Sequence, residues 1–344
     1  MNKILIARRG VPLMKLDGIN IFIAQIADNL ISKGYVVTIA GIANVDLFKY
    51  RDLFGIDSYP IFAKISSERK WRFVSDIEFG AKFYLYLLKN KHDFVIQNGI
   101  AFSPNKKTLL ICHDLEPTSW PPILQKFFQK ILYRNKFFKI AATSSEIRNG
   151  MLSLTDKNIH IVPTCISAKD VNLTSRQRKR ITHVGTDPWK NPVASLELFS
   201  KLNISDSILT FIGDKNESLI HELNKNYNSL KNKVEFKSSL NRGDFLEILG
   251  ESLYCLVPSI YSVGVLSPTV LDSYSQGTPV LASGISNDIF TCGETGFCLD
   301  PKCIEKASVI NNWNSLSENA FKVARRFSVE NSVERILNIL NSKD

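Results

Sequence analysis

The stretch KILIARRGVPLMKLDGINIFIAQIADNLISKGYVVTIAG, residues 3–41, decides the fold of this chain. It begins and ends with the short apolar runs KILIA (3–7) and VVTIAG (36–41), which predict two strands. Between them, apolar side chains recur at helical spacing, and Gly34 stands where a helix would end. These side chains are Ile21, Ile23, Ile26, Leu30 and Ile31. The stretch therefore predicts a βαβ unit.

Short apolar runs alternate with amphipathic helices along the rest of the chain. In the first half the later runs are continuously apolar, which predicts strands buried on both faces of a parallel sheet. They are DFVIQN (93–98), TLLIC (108–112), KIAATS (139–144) and NIHIVP (158–163). The second half repeats the pattern with RITHVG (180–185), ILTFIGD (208–214), VEFKSS (234–239), YCLVPS (254–259), TPVLAS (278–283) and TGFCLD (295–300). We predict an α/β fold of two doubly wound, Rossmann-like domains.

A polar segment without periodicity, SAKDVNLTSRQRKR, separates the two halves. We place a linker at residues 164–179 and the domains at 1–165 and 166–327. Residues 328–344 are assigned to a C-terminal helix, because Ser328 can cap it and apolar side chains line one face. The length of 344 residues fits two domains.

Composition places the chain among ordinary folded proteins, since 44% of its residues are hydrophobic and 22% are charged. Its net charge of +10 is one-sided: residues 1–165 hold 23 basic and 13 acidic residues, whereas residues 166–344 hold 20 of each. This excess indicates either that the first half meets an anionic partner or that the charge serves solubility.

The start of the sequence, MNKILIARRG, has an apolar run too short for a signal peptide, and no later stretch reaches the ~18 apolar residues of a membrane span. We therefore expect a cytoplasmic protein, either free or peripheral on the inner face of the membrane. Six cysteines without a C-x-x-C pair predict reduced thiols. Cys292, Cys298 and Cys303 are close in sequence, but their spacing matches no common zinc pattern.

Loops that follow strands carry the candidate binding residues, since ligands of open α/β sheets bind beyond the carboxyl ends of the strands. Gly18 opens the first helix, where backbone can approach a ligand. Lys190, in TDPWKNP, stands near a helix start and can meet a phosphate or lie solvated. The segment IYSVGVLSPTVLDSYSQGTPVLAS joins Gly264, several hydroxyls and a helix N-terminus into a predicted anion-binding loop, with Asp272 available for a sugar hydroxyl.

Five motifs, in this order along the chain, resemble retaining glycosyltransferases of family 4. They are LDGINIFIAQIADNLISKGYVVTIAG, TSSEIRNGML, IHIVPTCI, SQGTPVLAS and GETGFCLDP. The resemblance covers nearly the full length. It implies the GT-B fold, in which two Rossmann-like domains face each other, the first binds the acceptor, the second binds the donor, and the C-terminal helix packs back toward the first. It also implies transfer of a hexose from a nucleotide-diphosphate sugar with retention at the anomeric carbon.

The resemblance implies roles for individual residues around the donor diphosphate. Lys190 would neutralise the diphosphate, and Gly18 would lie near it. Backbone amides around Leu266, Ser267 and Thr269 would contact its phosphates. Such positive charge and N–H dipoles would stabilise the leaving diphosphate as the oxocarbenium-like transition state forms.

Other residues would hold the rest of the donor. The resemblance places Asp272 at the nucleotide ribose and Lys237 and Ser238 against the base. His113 would lie beside the transferred sugar, and His113 and Lys190 are therefore the predicted catalytic residues. Retaining members of this fold usually work without a metal, so we expect no cofactor or metal besides a UDP- or GDP-sugar donor.

Two departures from the family pattern affect the donor site. The first of the family's two glutamates falls at Gly264, or at Ser262 if the loop is longer, and neither is acidic. The family's arginine after the glycine is Thr186 here, and a lost charge-assisted contact costs ~1.5–3 kcal/mol. Arg8 or Arg9 can supply the replacement cation.

Two basic, aromatic segments concentrate the charge of the first half and are predicted to form a membrane or acceptor surface. KFFQKILYRNKFFK (126–139) carries Lys126, Lys130 and Arg134, and SSERKWRF (66–73) carries Arg69, Lys70, Trp71 and Arg72. The expected acceptor is a lipid-linked or cell-envelope glycan. The alternatives are a nucleic acid acceptor, which is less favoured, and a catalytically silent protein that binds a sugar nucleotide.

Overall fold

The structure of this protein is a computed structural model that describes most of its residues. They are residues 2–8, 13–14, 17–41, 45–65, 72–98, 103–105, 107–113, 138–167, 178–260, 266–309 and 312–342. The chain divides into two compact units. The first unit is Met1–Cys165 with Val329–Asp344, and the second unit is Ile166–Ser328.

The first unit is built on a parallel sheet. Its described strands are β1 (Lys3–Arg8), β2 (Val36–Gly41), β3 (Ile61–Lys64), β4 (Phe94–Asn98), β5 (Thr108–Cys112), β6 (Phe138–Ala142) and β7 (Ile159–Ile161). They lie in the order β3-β2-β1-β4-β5-β6-β7, and every described pair is parallel. Because the order runs outward from β1 in both directions, the sheet is doubly wound.

Helices cover this sheet at the places that the apolar periodicity requires. The described helices before the linker are α1 (Gly18–Ser32), α2 (Leu47–Phe54), α3 (Arg72–Lys89) and α4 (Ser145–Leu152). Asp17 caps α1, since its carboxylate accepts hydrogen bonds from the backbone N–H groups of Ile19 and Asn20. The sequence had not predicted β3, a four-residue edge strand that is only partly buried.

The second unit repeats the architecture. Its described strands are β8 (Arg180–Val184), β9 (Ile208–Ile212), β10 (Val234–Lys237), β11 (Ser252–Val257), β12 (Val280–Ala282) and β13 (Gly296–Cys298), in the order β10-β9-β8-β11-β12-β13. Its described helices are α5 (Pro192–Leu202), α6 (Glu217–Asn226), α7 (Arg242–Gly250), α8 (Pro268–Ser275), α9 (Pro301–Ser308) and α10 (Trp313–Arg326). The described strand pairs are all parallel, which confirms the predicted α/β fold of two doubly wound sheets.

The C-terminal helix α11 (Val329–Asn341) belongs to the first unit. Its buried Val333, Ile336 and Leu340 lie in the same apolar core as α1 and the first sheet. The ammonium of Lys139, in β6, donates to the carbonyl of Ile339 at 2.7 Å. The chain thus returns from the second unit to complete the core of the first.

Within the described ranges, each helix is too short or too polar to cross a membrane.

Candidate functional site

Two glycines follow neighbouring strands at the carboxyl edge of the second sheet. Gly185 follows β8 with a φ of +89°, and Gly213 follows β9 with a φ of +146°. A Cβ atom on Gly185 would lie 3.2 Å from Cγ of Lys190, and one on Gly213 would lie 3.3 Å from the backbone nitrogen of Thr186. Glycine is therefore required at both positions, for the backbone conformation and for the close approach of the next loop.

Lys190 lies in this loop, at the end of the 3₁₀ turn Pro188–Lys190 that leads into α5. Its side chain is partly buried, with Nζ 4.2 Å from the ring centroid of Trp189. Burial lowers the pKa of Lys190, and the neighbouring Cys255 and Asp187 oppose that shift. The carbonyl of Trp189 accepts a hydrogen bond from the N–H of Ile260 at 3.1 Å, so the turn is tied to the loop after β11.

His183, in β8, supports the turn from below. Its Nε2–H donates to the carbonyl of Gly185 at 2.7 Å, and its Nδ1 lies 2.7 Å from the hydroxyl of Ser195, in α5. Burial lowers the pKa of His183 to about 3, with a further contribution from the charge of Lys190, although the hydrogen bond to Gly185 opposes the shift. The neutral ring thus links the sheet, the glycine and the helix. The sequence does not single out this residue, because a histidine within an apolar strand run gives no sign of its partners.

The start of α8 carries the three residues predicted to offer backbone amides. Leu266 and Ser267 are buried, and Ser267 is the residue before the first turn. Its carbonyl accepts hydrogen bonds from the N–H groups of Val270 and Leu271. Since Pro268 has no N–H, Thr269 is the first helical residue that can present one to an anion.

Asp272 lies one turn into α8 and pairs with a residue that the sequence did not single out. Both of its carboxylate oxygens accept hydrogen bonds from the guanidinium of Arg242, at the start of α7, and the Nη1 to Oδ2 distance is 2.8 Å. The side chains of Arg242 and Asp272 are 6% and 3% exposed. Binding of a ribose by Asp272 stays a prediction. Because Arg242 donates to both carboxylate oxygens, a ribose hydroxyl would have to donate to the lone pairs that remain on them.

The predicted base-binding residues lie at the edge strand of the same sheet. Lys237 ends β10 and is half-exposed, and its carbonyl accepts a hydrogen bond from the N–H of Gly213 at 2.8 Å. Ser238 follows it and is exposed. Thr186 donates its hydroxyl to the carbonyl of Asp214 at 2.7 Å, so the position of the family's arginine holds a short side chain turned toward the backbone.

The first sheet has a separate group of polar residues at its carboxyl edge. His113 follows β5, and its Nε2–H donates to Oδ1 of Asn98, at the end of β4, at 2.8 Å. Asn98 pairs in register with Arg8, at the end of β1, and Arg8 Nη2 lies 3.3 Å from Oδ2 of Asp17. Burial lowers the pKa of His113 to about 3, and the charge of Arg8 adds to the shift.

Two predicted residues adjoin this group, and one partner was not predicted. Gly18 opens α1 directly after the capping Asp17. The ring of Phe22, one turn later, meets the His113 ring edge to face at a centroid distance of 5.2 Å. Asn98 was missed, because the run DFVIQN reads as an apolar strand with a polar end. The structure therefore brings together Arg8, Gly18 and His113 in the first unit and Lys190, Asp272 and the start of α8 in the second.

Several predicted residues lie outside the described residues. They are Arg9, Arg69, Lys70, Trp71, Lys126, Lys130 and Arg134, together with Ser262 and Gly264. Arg72 begins α3, and its side chain is likewise outside.

Solved structures with the same two-unit fold are glycosyltransferases of the GT-B class. Sucrose-phosphate synthase from Thermosynechococcus elongatus superposes with a TM-score of 0.76 at 15% identity, covering 98% of each chain. WaaG, a glycosyltransferase involved in lipopolysaccharide biosynthesis, gives a TM-score of 0.72 at 14% identity, over 98% of this chain and 100% of that one. Anabaena HepE in complex with UDP-glucose gives 0.69 at 15% identity, over 98% of each chain. At these identities the likeness establishes the fold.

The sequence itself matches the family model of Glycosyl transferases group 1 over residues 168–332, just under half of the chain. The matched segment contains both glycines, Lys190, Arg242 and α8. A comparison with curated proteins gives no match. The family match and the GT-B neighbours together support a glycosyltransferase.

Proposed function

We propose that this protein is a retaining glycosyltransferase that moves a hexose from a nucleotide-diphosphate sugar to a lipid-linked or cell-envelope glycan. The observation that carries the proposal is the position of Lys190. It is held beside Gly185 at the carboxyl edge of the second sheet, in a turn tied to the loop that leads toward α8. This edge lies within the segment that matches Glycosyl transferases group 1.

The chemistry of transfer explains why such an edge suits the reaction. As the bond to the anomeric carbon breaks, negative charge develops on the leaving diphosphate and positive charge on the sugar ring. A fixed ammonium and N–H groups at the start of a helix stabilise that negative charge more in the transition state than in the bound donor. Lys190 and the amide of Thr269 would provide these groups. In the proposed reaction, the acceptor's hydroxyl oxygen bonds to the anomeric carbon and its proton passes to the departing diphosphate. No residue of this chain forms a bond to the sugar.

His113 would act on the sugar as a neutral group. Its depressed pKa, about 3, keeps the ring uncharged near pH 7. Because Nε2–H already donates to Asn98, Nδ1 presents a lone pair that can accept a hydrogen bond from a sugar hydroxyl. We therefore assign His113 to orienting the sugar, and we expect it to transfer no proton.

The solved structures favour one donor class and one acceptor class. HepE was crystallised with UDP-glucose, and WaaG is described as a glycosyltransferase involved in lipopolysaccharide biosynthesis. We therefore expect a UDP-sugar to bind more tightly than a GDP-sugar, and a glycan or glycolipid of the cell envelope to serve as acceptor.

Titration calorimetry with UDP- and GDP-sugars, combined with product analysis, tests the proposal. Lys190→Ala should weaken donor binding about 10–100-fold, equivalent to the ~1.5–3 kcal/mol of a hydrogen bond to a charged group. Lys201→Ala is the matched control, since Lys201 is an exposed lysine of α5 paired with Glu197. Retention predicts that an α-linked UDP-sugar gives an α-linked product by NMR. Donor binding without turnover would instead favour the catalytically silent protein, and no binding by the wild type would refute the donor site.

A peripheral membrane location belongs to the same proposal, and α3 supports it. Phe79, Phe83 and Leu87 are buried against the first sheet, as one face of an amphipathic helix should be. The opposite face is also apolar, although it is open to solvent. Its large side chains are 40–58% exposed and recur at helical spacing: Ile77, Tyr84, Leu85 and Leu88.

An anionic bilayer is the surface that fits this face. Exposed Lys82 and Lys89 flank the apolar stripe, and exposed Lys91 follows the helix. The first unit holds 25 basic and 16 acidic residues, whereas the second holds 18 and 17. An apolar stripe bordered by lysines is suited to lie at the boundary of anionic headgroups and acyl chains.

Vesicle flotation separates a membrane partner from a nucleic acid partner. The wild type should float with phosphatidylglycerol vesicles and much less with phosphatidylcholine vesicles. Leu85→Glu combined with Leu88→Glu should abolish flotation, whereas Phe48→Glu, a change at a 75% exposed residue of α2, should leave it unchanged. If the protein does not float with the vesicles but retards DNA in a gel, the partner is a nucleic acid and not a membrane.

A further inference from the structure

Three cysteines cluster at one side of the second unit, and the glycosyl transfer proposed above uses none of them. Sγ of Cys292 lies 3.5 Å from Sγ of Cys303. The backbone N–H of Cys298 donates to Sγ of Cys292 at 3.1 Å. Cys292 is exposed, and the other two are partly exposed. Thiols in contact at a surface can react with a dissolved oxidant, unlike the buried Cys112, Cys165 and Cys255.

The backbone geometry holds the two thiols together. Cys292 lies in a turn closed by a hydrogen bond from the N–H of Gly293 to the carbonyl of Gly296 at 2.7 Å, and Gly296 begins β13. Cys303 lies in the first turn of α9, where its N–H donates to the capping carboxylate of Asp300 at 3.0 Å. Strand β13 and the cap of α9 therefore set the distance between the two sulfur atoms.

We propose that Cys292 and Cys303 form a reversible disulfide when the protein meets a peroxide. The Cys292 thiolate attacks one oxygen of hydrogen peroxide, which breaks the O–O bond, gives a sulfenic acid and releases hydroxide. The Cys303 thiol then gives its proton to the carboxylate of Asp300, to which it is hydrogen-bonded, and its sulfur attacks the Cys292 sulfur. This attack forms the S–S bond and expels the sulfenic oxygen as hydroxide, which takes up the proton and leaves as water. In total, two thiols lose two electrons and two protons, and one peroxide becomes two waters.

The roles of the two sulfurs follow from their neighbours. Cys292 accepts the backbone N–H of Cys298, a contact that stabilises a thiolate. Cys303 is hydrogen-bonded to the Asp300 carboxylate, which raises the pKa of its thiol to about 12 and keeps it protonated until the sulfenic acid has formed. Cys292 is therefore the attacking cysteine and Cys303 the resolving one. Within the described ranges, no three side chains of the ligand types are arranged to hold a metal ion, so a disulfide suits this cluster better than a metal.

The turn that carries Cys292 also contacts the proposed donor site. The hydroxyl of Tyr274, in α8, donates to Oγ1 of Thr295 at 2.9 Å, and the same Oγ1 accepts the N–H of Thr291 at 3.0 Å. Oxidation would thus tether the turn against which α8 is anchored. The disulfide proposal stands on the thiol cluster alone and does not depend on glycosyl transfer.

Peptide mapping of the full-length protein tests the pairing directly. The protein is treated with hydrogen peroxide or with a reductant, its free thiols are alkylated, and it is digested without reduction by trypsin and a glutamate-specific protease. Cleavage after Glu294 and after Lys302 separates the three cysteines from one another. The peptide of Cys292, residues 252–294, also carries the buried Cys255, so the Cys292→Ser variant decides which of the two is linked. We expect peroxide to link the peptides of Cys292 and Cys303, and the reductant to release them.

Single variants distinguish this disulfide from other oxidation. Cys298→Ser should retain the linked peptides, whereas Cys292→Ser and Cys303→Ser should abolish them, with circular dichroism used to verify that each variant is folded. A link between Cys292 and Cys298 would overturn the assignment of the resolving cysteine. Irreversible oxidation of Cys292 without any link, or a link formed equally fast in urea, would overturn the proposal.

Discussion

Among the described residues, an arginine–aspartate pair lies at the carboxyl edge of each sheet, and the two pairs are built differently. In the first unit, Arg8 and Asp17 are nine residues apart, on either side of one strand-to-helix connection, with side chains 9% and 25% exposed. In the second unit, Arg242 and Asp272 are thirty residues apart, on two different helices, with side chains 6% and 3% exposed. The first pair follows from local sequence, whereas the second exists only once α7 and α8 have packed together.

This difference determines what each pair contributes. A partly exposed pair is screened by water and is worth little beyond the cap that Asp17 provides for α1. A buried pair has lost its hydration on both sides, so each charge depends on the other. The second unit should therefore be sensitive to single charge changes, and the first unit should tolerate them.

The largest expected effect follows from removing one member of the buried pair. Arg242→Met should lower the free energy of unfolding of the second unit by about 3–5 kcal/mol, because it leaves the Asp272 carboxylate buried without a partner. Urea denaturation followed by circular dichroism measures the change. The double variant Arg242→Met with Asp272→Leu should recover most of this loss, since it removes both charges. A loss below about 1 kcal/mol for the single variant would mean that the buried pair contributes as little to stability as the partly exposed pair.

The contrast between the two pairs also explains what the sequence could predict. The buried strands were predicted because their apolar runs are a local property, whereas the partly buried edge strand β3 was not. Lys190 was singled out because it lies in a loop directly after a strand. Asp272 was also found, on a helix start with strong local signals. Its partner Arg242 was not, because NRGDFLEIL looks like the exposed start of any amphipathic helix. A contact across thirty residues leaves no trace in the spacing of either segment.

The same limit applies to the two histidines. His183 lies in an apolar strand run, and its hydrogen bonds to Gly185 and Ser195 depend on how the turn and α5 fold back over the strand. His113 was placed in a site by family resemblance alone, and its partner Asn98 is on the neighbouring strand. Pairing between strands decides both environments, and no pattern within one segment encodes it.

Each of these histidines should make a medium-sized contribution to the pH dependence of stability. The folded pKa of His183 is about 3, below the ordinary value near 6.5, so the unfolded chain binds a proton that the folded chain does not. As far as His183 is concerned, the free energy of unfolding is therefore highest above about pH 6.5. It declines by about 1.4 kcal/mol for each pH unit between there and about pH 3. His183→Gln should remove this slope, as measured by urea denaturation at pH 7.5, 6 and 5.

Comparison with the first unit sharpens this prediction. His113→Gln should reduce the acid sensitivity by a similar amount, because burial lowers the folded pKa of His113 to about 3 as well. His221→Gln, a change at an exposed residue of α6, is the control for the loss of a histidine. A clearly smaller change of slope for one of the two variants would mean that water reaches that histidine more easily than it reaches the other.

The smallest effect is expected at Asp17, where the cap and the ion pair can be separated. Asp17→Asn keeps an oxygen that can accept the N–H groups of Ile19 and Asn20. It loses the charged oxygen that faces Arg8 and the side-chain amide of Asn20 across two long contacts of 3.3 Å, so it should cost less than about 1 kcal/mol. Asp17→Ala loses both and should cost about 1–2 kcal/mol. Hydrogen exchange of the peptides that span α1 measures each change at the helix itself. If Asn proves as costly as Ala, the charge contact to Arg8 matters more than the cap, and the first pair would resemble the buried pair of the second unit.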